Sequence, residues 1–338
     1  MKSMKPSDLL RPTPAGLCCV PGDFVIDPVR SVSRAVITHG HGDHARPGHG
    51  AVLATRETLA IMACCYGEDF AGSVQPARYG ETTLHNGVEV TLVPAGHVLG
   101  SAQIVMRASG ITAVVSGDYK RRRDPTCAPF EPVPCDVFVS EATFGLPVFR
   151  HPDDAGEIAK LLKSVAQFPE RTHLIGVYAL GKAQRLICLL REAGYEKPIY
   201  AHGALGKLNA LYEAHGVKLG PLLPATLETT ERFEGAIVLA PPDTLGERWS
   251  RRFADPLPVF ASGWMRVKAR ARQRRVELPL VISDHADWDE LIQTFEELHP
   301  EEVWLTHGEE QALLRWATLN GFCARALSLT GYGDEEEA

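Results

Sequence analysis

The chain has 338 residues, of which 45% are hydrophobic and 23% are charged, so it is long enough to bury the core of one large domain or of two ordinary ones. No apolar run approaches the roughly 20 residues that span a bilayer, which excludes a membrane-spanning protein from our expectations. The net charge of −7 argues by itself against a nucleic-acid partner, although basic residues cluster at positions 120–123 and 266–275.

The first part of the chain, residues 22–145, is predicted to form mainly strands and turns. Short apolar runs separated by Gly, Asn and Pro predict strands at 24–28, 34–38, 88–93, 103–106 and 111–116. One helix is predicted at 55–65, with Thr55 as its cap. A series of strands with few helices between them favours a sheet sandwich over a purely parallel sheet.

After residue 147, strands and helices alternate, which predicts βαβ units and a parallel sheet. Helices are predicted at 151–167, 182–193 and 205–215, and strands at 172–180, 197–201, 236–240 and 258–261. The same alternation continues with strands at 278–283 and 302–306 and helices at 288–298 and 309–320. Since no repeat or low-complexity linker interrupts the pattern, we expect the middle segment to be an insertion into one domain. The expected segments are 1–146, 147–261 and 262–338.

A histidine-rich loop follows the apolar run at 35–38. It contains three imidazoles and one carboxylate within six residues: His39, His41, Asp43 and His44. Side chains at alternate positions can reach one metal ion, and the next pair can turn to a second ion nearby. A His-rich surface turn is the alternative interpretation. The spacing favours a metal site.

Two later turns offer further ligands. His97 lies in a glycine-flanked turn after a predicted strand, and Asp118 ends another strand. Either residue alone would be an ordinary hydrogen-bonded loop residue. Beside the histidine-rich loop they become candidate ligands, because two ions need about four ligands each. Asp118 is suited to bridge both ions, since a carboxylate has two oxygens.

In this order, His-x-His-x-Asp-His, Gly-His and Gly-Asp resemble the metallo-β-lactamase fold. That resemblance implies an α/β protein in which two sheets lie face to face with helices outside, an αββα sandwich with a metal site at one edge. Asp27 matches the acidic residue that the family keeps near its metal loop. A turn residue before Pro28 explains Asp27 equally well.

Four further segments resemble the β-CASP nucleases. Residues 140–145 around Glu141, 283–287 around His285 and 305–309 around His307 match their later motifs, and 178–184 matches a helix start in their inserted α/β domain. The resemblance covers about residues 23–308. The histidine of the last motif is similar to the RNA-processing branch and ribonuclease J, whereas the eukaryotic crosslink-repair branch has an apolar residue there.

Residues 262–266 with the following basic run, together with 283–288, resemble the bacterial ligase-associated DNA exonucleases, which are related to messenger-RNA 3′-end-processing factors. The resemblance implies a metal-dependent exonuclease acting on single-stranded DNA in bacterial DNA repair. DNA ligase and a helicase of the same pathway become candidate partners. An RNA-processing ribonuclease is the main alternative. A small-molecule metallo-hydrolase is a more remote alternative, because it needs neither the insert nor the basic run. An inactive scaffold subunit is a further alternative, but it would lack metal ligands, and none is missing from this sequence.

The family resemblance also implies two divalent ions, of zinc, manganese or iron. One ion would be held by His39, His41, His97 and Asp118. The other would be held by Asp43, His44, Asp118 and His307. Water activated by the two ions would attack the phosphorus.

The catalytic residues that the resemblance implies are Asp43, His285 and Glu141. His285 would touch the scissile phosphate or protonate the leaving oxygen, and Glu141 would fix its tautomer. A buried hydrogen-bonded pair without a catalytic role is the alternative for Glu141 and His285.

Substrate binding is predicted for a helix start and for a basic run that alternates with small residues. The residues are Lys182, Ser262, Arg266, Lys268, Arg270 and Arg272. Cationic side chains of this kind contact phosphates in single-strand grooves. A solvated charged face is the alternative for the run, and helix capping is the alternative at Lys182. Residues 120–123 are expected to line the same entrance.

The cysteines and the N-terminus indicate the compartment. The eight cysteines include no C-x-x-C pair, which argues against a zinc ribbon or a disulfide framework and indicates reduced thiols. No apolar segment of the secretory type follows the N-terminus. We therefore expect a cytoplasmic protein.

Overall fold

The computed structural model describes residues 5–226, 233–308 and 310–327. The chain divides into two compact units, the first formed by Met1–Pro147 with His285–Ala338 and the second by Val148–Asp284. Within the described residues, no helix is both long enough and apolar enough to cross a membrane.

The first unit begins with a short helix and a six-stranded mixed sheet. The helix is α1 (Pro6–Leu9), and the strands are β1 (Leu10–Thr13), β2 (Gly16–Cys19), β3 (Phe24–Ile26), β4 (Arg34–Val36), β5 (Ala51–Thr55) and β6 (Val74–Ala77). The strands lie in that order, antiparallel from β1 to β3 and parallel from β3 to β6. Helix α2 (Arg56–Tyr66) connects β5 to β6. Its predicted cap is confirmed, since Thr55 Oγ1 accepts a hydrogen bond from the Thr58 amide at 3.1 Å.

A second sheet starts with the next five strands. They are β7 (Thr82–His85), β8 (Val88–Pro94), β9 (Ala102–Ala108), β10 (Ile111–Val115) and β11 (Val137–Ala142). The first four pair in antiparallel fashion, and β11 pairs with β10 in parallel. The mixed pairing confirms that this part of the chain is not a purely parallel sheet.

The second unit contains the third sheet, whose pairs are all parallel, as the alternating pattern predicts. Its elements are α3 (Asp154–Gln167), β12 (Thr172–Gly176), α4 (Lys182–Glu192), β13 (Ile199–Ala201), α5 (Gly206–Ala214), β14 (Leu222–Pro224), β15 (Ile237–Ala240), β16 (Pro256–Ala261), α6 (Lys268–Gln273) and β17 (Leu278–Leu280). The strand order is β14-β13-β15-β12-β16-β17. Short 3-10 helices at Gly203–Leu205, Pro242–Gly246, Arg248–Arg252 and Gly263–Arg266 follow strands of this sheet.

The chain then returns to the first unit. It forms α7 (Trp288–Leu298), β18 (Glu302–Gly308), α8 (Glu310–Leu319) and β19 (Cys323–Ala326). Strands β18 and β19 complete the second sheet, whose order is β19-β18-β11-β10-β9-β8-β7. Because β18 pairs in parallel with β11, its C-terminal end lies beside the C-terminal end of β11.

The two sheets of the first unit share one hydrophobic core. Buried Val36 and Leu53 of the first sheet belong to the same cluster as Ile104 and Val139 of the second. Helix α2 packs Leu59 and Met62 against the other face of the first sheet, and α7 and α8 pack against the other face of the second. Burial of these apolar side chains is the main favourable contribution to folding.

The structure departs from the predicted elements at helix starts, at strand ends and in strands that were not predicted. Helix α3 begins at Asp154 rather than at residue 151, because Asp153 Oδ1 accepts from the Gly156 amide at 2.7 Å and caps it. The strand predicted at 172–180 ends at Gly176. Strands β6, β7, β14 and β19 were not predicted, since most of their residues are exposed or half-buried and show no apolar alternation. Strands β1, β2, β5 and β11 were not predicted either, although β5 and β11 are largely buried. Glu309, the predicted first residue of the last helix, lies outside the described residues.

Residues 262–284, expected to begin the last segment of the first domain, group with the second unit. The reason is local, because β17 pairs in parallel with β16 and extends the third sheet. The first unit resumes at His285.

Candidate metal and catalytic site

The loop that follows β4 carries four of the predicted site residues: His39, His41, Asp43 and His44. Gly40 lets this loop run directly over α2, since a Cβ at that position would come within 2.6 Å of Ile61 Cγ2. The Ala45 amide then donates to the His41 carbonyl at 2.7 Å, which closes a helical turn. The turn brings the second half of the loop back over the first.

The structure brings four buried ligand atoms together, one from each of His39, His41, His97 and Asp118, all within 4.8 Å of one another. His41 Nδ1 lies 3.1 Å from His39 Nε2 and 3.0 Å from His97 Nε2. Asp118 Oδ2 lies 3.3 Å from His39 Nε2 and 3.8 Å from His97 Nε2. Tetrahedral ligands about 2.0–2.1 Å from an ion are about 3.3 Å apart, so these atoms fit a divalent cation.

The turns that carry His97 and Asp118 are fixed by local contacts. The His97 amide donates to Ser101 Oγ at 3.1 Å, within the turn after β8. Gly117 precedes Asp118 with a φ of +57°, and a Cβ there would lie 2.7 Å from Thr38 Cβ. Close packing of this turn against Thr38 holds Asp118 beside the histidine-rich loop.

A second group of predicted ligands surrounds His44. The Nε2 atom of His44 lies 3.5 Å from Asp43 Oδ2 and 3.5 Å from Asp118 Oδ2. The ring of His307 stacks on the His44 ring, with centroids 5.0 Å apart and an interplanar angle of 27°. Asp43 Oδ1 is buried and accepts no hydrogen bond from the described part of the chain. A buried carboxylate oxygen without a donor is costly unless a cation satisfies it.

The backbone at His307 is in the left-handed region, with a φ of +57°, and Gly308 follows with a φ of +90°. A Cβ on Gly308 would lie 2.4 Å from the Ala142 carbonyl oxygen, so β18 closes on β11 only with glycine here. Non-glycine residues at positive φ cost of order 1–3 kcal/mol and concentrate at functional sites. The turn directs the His307 ring toward His44.

Burial sets the protonation of two of the histidines. It lowers the pKa of His39 well below its ordinary value, and the nearby His44, His97 and His41 act in the same direction. Burial, followed by the charge of His44, lowers the pKa of His307 to about 3. Both rings are therefore neutral, which is the form that binds metal.

The remaining groups carry the charge of the cluster. Burial alone would lower the pKa of His44, but Asp118, Asp43 and Asp27 raise it well above its ordinary value. Burial raises the pKa of Asp118 to about 7 despite the opposing effect of His44. Buried carboxylates of this kind are stabilised in their ionised form by a cation beside them. The donor set and its burial therefore fit one or two divalent ions.

Glu141 and His285, both predicted as catalytic, form a hydrogen-bonded pair. Glu141 Oε2 lies 2.9 Å from His285 Nδ1 and accepts from Thr143 Oγ1 at 2.6 Å. The other carboxylate oxygen accepts from the Tyr119 amide at 2.7 Å. One ligand atom each of Asp118, Glu141 and His285 lie within 4.8 Å of one another, so the pair adjoins the cluster of candidate metal ligands.

Arg121 and Arg122 form hydrogen bonds and an ion pair with residues at the start of α7. The amides of Arg121 and Arg122 both donate to Glu290 Oε1, at 3.0 and 2.7 Å. The other Glu290 oxygen accepts from the Asp287 amide at 3.1 Å, and the Arg122 side chain pairs with Asp287. This network joins the segment after Asp118 to the helix start after His285. It was not predicted, although a cap at Asp287 followed by Glu290 is a recognisable capping box.

The sequence left two interpretations of Asp27 open and gave no indication of a role for Thr38. Asp27 accepts from the Thr38 amide at 2.8 Å and from Thr38 Oγ1 at 2.6 Å. Thr38 Oγ1 also lies 3.0 Å from His39 Nδ1, which leaves His39 Nε2 facing the other candidate metal ligands. Contacts of this kind orient metal-binding imidazoles. No sequence signal distinguishes Thr38 from any threonine at a strand end.

The predicted substrate-binding residues all lie in the second unit. Lys182 is buried, and its Nζ lies 3.1 Å from Asp284 Oδ1. Ser262 is also buried, and its Oγ accepts from the Trp264 amide at 3.2 Å. These contacts give both residues a structural role. Their binding of substrate stays a prediction.

Three of the predicted substrate-binding cations in the basic run are exposed: Arg266, Lys268 and Arg272. Arg270 is half-buried, and its guanidinium lies 3.9 Å from the centroid of the Trp264 ring. Stacking on an aromatic ring stabilises an arginine without neutralising it. Phosphate binding by these four residues remains a prediction.

Comparisons with known proteins identify relatives along most of the chain. No family model matches it. A protein named probable DNA ligase from Opitutus terrae is 28% identical over 301 residues, which cover 84% of this chain and 28% of that protein. Cleavage and polyadenylation specificity factor subunit 3 from Dictyostelium discoideum is 25% identical over 389 residues, covering 90% of this chain and 50% of that protein. This chain therefore spans half or less of the length of these two relatives.

A third relative matches over most of its own length. Ribonuclease TTHA0252 from Thermus thermophilus is 26% identical over 387 residues, covering 92% of this chain and 89% of that protein. Among solved structures, a protein of unknown function from Enterococcus faecalis superimposes with a TM-score of 0.59 at 14% identity, covering 89% of this chain and 80% of that one. At that identity the likeness shows the fold alone.

Proposed function

Because this chain belongs to the β-CASP nuclease family of the metallo-β-lactamase fold, we propose that it is a metal-dependent nuclease that hydrolyses phosphodiester bonds. More specifically, we propose an exonuclease acting on single-stranded DNA in bacterial DNA repair. The observation that carries the proposal is the grouping of His39, His41, His97 and Asp118 within 4.8 Å. Beside this group lies a histidine whose tautomer is fixed by a carboxylate.

The ligands would be divided between two cations, zinc, manganese or iron. One ion would be held by His39, His41, His97 and Asp118, and the other by Asp43, His44, Asp118 and His307. When bound, the ions supply positive charge that neutralises the phosphate oxygens and lowers the pKa of an attacking water. Mixed nitrogen and oxygen ligands suit all three metals.

The protein's own groups would then manage the proton transfers. The attacking water would lose one proton to solvent as its oxygen forms a bond to phosphorus, the bond from phosphorus to the leaving oxygen would break, and that oxygen would take up a proton from His285 or from solvent. Glu141 accepts a hydrogen bond from His285 Nδ1–H, so Nε2 is the nitrogen that would touch the phosphate or protonate the leaving oxygen. Asp43, with its buried unsatisfied oxygen, would help to hold the second ion.

The choice of DNA over RNA rests on resemblance. It is supported by the relative named probable DNA ligase and by the likeness of residues 262–266 and 283–288 to ligase-associated exonucleases. An RNA-processing ribonuclease is the second candidate, favoured by the relative named ribonuclease, which this chain matches along 89% of its length.

The fold and the cellular context form part of the same proposal. The first unit would be an αββα metallo-β-lactamase domain, and the second would be the inserted β-CASP domain. All eight cysteines are present as thiols, which supports a cytoplasmic location. DNA ligase and a helicase of the same repair pathway would be its partners.

End-labelled single-stranded DNA and RNA of one sequence, each incubated with added manganese or zinc, test the proposal. We expect stepwise shortening of the DNA, with RNA degraded more slowly, and loss of both activities in Asp43→Ala and His44→Ala. Full activity in these variants would contradict the metal-dependent mechanism. Preferential digestion of RNA would favour the ribonuclease alternative.

A further inference from the structure

A basic and aromatic segment of the second unit lies outside every motif considered above. The 3-10 helix Arg248–Arg252 between β15 and β16 contains three arginines and one tryptophan in five residues. Residues three apart in a 3-10 helix face the same side. Arg248 and Arg251 therefore share one face, and Trp249 and Arg252 share the next.

The indole of Trp249 is held by three neighbours. The Arg252 guanidinium lies 5.0 Å from its ring centroid, and the His202 ring meets it edge-on with centroids 4.7 Å apart. The centroid of the Phe253 ring lies 5.2 Å from that of Trp249. Trp249 nevertheless remains half-buried rather than buried. An aromatic ring that is fixed in place and still accessible loses little conformational entropy when a second ring stacks on it.

This segment lies at the carboxyl ends of two strands of the parallel sheet. His202 directly follows β13, and Arg252 Nη1 donates to the carbonyl of Ala225, which directly follows β14, at 3.1 Å. Open α/β sheets bind their ligands outside the carboxyl ends of the strands. The position is therefore one where a ligand is expected.

The two outward arginines carry charge that the protein does not neutralise. Arg248 and Arg251 are exposed, and neither side chain forms an ion pair or a hydrogen bond with any residue that the structure describes. By contrast, Arg171 of the same unit pairs with both Asp255 and Glu277. Glu247 is the acidic residue adjacent in sequence. In a chain of net charge −7, this concentration of unpaired positive charge indicates an anionic partner.

We propose that His202, Arg248, Trp249, Arg251 and Arg252, the basic-aromatic patch, bind single-stranded nucleic acid. Arg248 and Arg251 contact successive phosphates, and Trp249 stacks on an exposed base. The inference rests on the proposed nuclease function and adds a substrate contact in the second unit. Unpaired cations beside a fixed aromatic ring fit a single strand better than a duplex, whose bases are already stacked.

Binding of a fluorescein-labelled phosphorothioate oligothymidylate of about 20 nucleotides, measured by anisotropy at several salt concentrations, tests the patch. A single-strand contact contributes a slope of about 0.7 in log K against log salt, so Arg248→Gln/Arg251→Gln should reduce the slope by about 1.4. Trp249→Leu should raise Kd by about 5- to 100-fold, the loss of one stacked base. The control Lys163→Gln/Lys207→Gln removes two exposed charges of the same unit and should leave both quantities near wild type.

Hydrolysis of bis(p-nitrophenyl) phosphate distinguishes a failure of the patch proposal from a failure of the proposed nuclease function. Patch variants should hydrolyse this small diester at the wild-type rate, since none of the patch residues is among the predicted metal ligands or catalytic residues. An unchanged Kd and salt slope in Arg248→Gln/Arg251→Gln, or an equal change in the lysine control, overturns the patch. If the wild-type protein binds the oligonucleotide but cleaves no phosphodiester, the nuclease function is contradicted. The salt dependence of binding by the arginine variant still tests whether the patch binds nucleic acid.

Discussion

His44 Nδ1 lies 2.8 Å from Asp27 Oδ2, while the opposite ring nitrogen faces Asp43 and Asp118. Asp27 adopts this position with a φ of +42°, in the left-handed region. Its two oxygens accept from His44 and from both donors of Thr38. The carboxylate therefore orients one predicted metal ligand and braces the strand end from which the histidine-rich loop starts.

Replacing Asp27 with Asn should weaken metal binding. Partners that orient ligating histidines typically contribute 10- to 100-fold in metal affinity, so we expect a loss of about that size. Competition with a fluorescent chelator measures the affinity for zinc and manganese. Asp23→Asn, which changes a nearby exposed carboxylate, is the matched control. Equal affinity of Asp27→Asn and wild type would contradict an orienting role for Asp27.

His285→Ala should keep its metal and lose turnover. The His285 ring contacts Glu141 rather than forming part of the four-atom cluster at His39, so metal content should match wild type. Loss of a general acid typically lowers kcat by about 10²- to 10⁴-fold. Elemental analysis and kcat measured on one preparation check both statements. A metal-free variant would show that His285 is a ligand instead.

Glu290→Ala should destabilise the first unit. The change removes the acceptor of the Arg121, Arg122 and Asp287 amides, and each buried amide left without a partner costs about 1–3 kcal/mol. We expect the free energy of unfolding to fall by at least about that amount in urea denaturation. Glu296→Ala, on the exposed face of the same helix, should change it by less than about 0.5 kcal/mol. Similar values for the two variants would mean that the network contributes little.

His173 of β12 should make the protein less stable in acid. The residue is fully buried beside Ser164 Oγ at 2.8 Å, and burial lowers its pKa below the ordinary value of 6.5. Between the lowered pKa and pH 6.5 the unfolded chain binds more protons than the native one, so this contribution to stability is present above pH 6.5 and lost as pH falls. Unfolding free energies at pH 7.5 and 5.5 should differ less in His173→Gln than in wild type. Parallel pH profiles would rule out His173 as the titrating group.

Much of the fold was predictable because its signals are local. Helix α7, Trp288–Leu298, has the bounds that were predicted from the alternation of strand and helix patterns. The grouping of His39, His41 and His97 with Asp118 also follows from ligand types at strand ends. Spacing alone could not predict that Asp27 would orient His44, since one aspartate before a proline is equally typical of a turn.

Other features depend on contacts between distant segments. That residues 120–123 line the substrate entrance stays a prediction. The hydrogen bonds of the Arg121 and Arg122 amides to Glu290, nearly 170 positions away, could not be predicted, because no local pattern contains that information. Lys182 was predicted to bind phosphate from its helix start, while its pairing with Asp284 depends on the strands and helices packed between them. Exposed strands such as β7 lack the apolar alternation that sequence reading requires.

The placement of β18 beside β11 has a consequence for biosynthesis. His307 reaches His44 only after the last strands have been translated and inserted next to β11, long after the histidine-rich loop has left the ribosome. A nascent polypeptide thus carries most of its imidazoles early but cannot complete the second ligand group until synthesis is almost finished. Chain order alone therefore delays the meeting of His307 with His44 until translation is nearly complete.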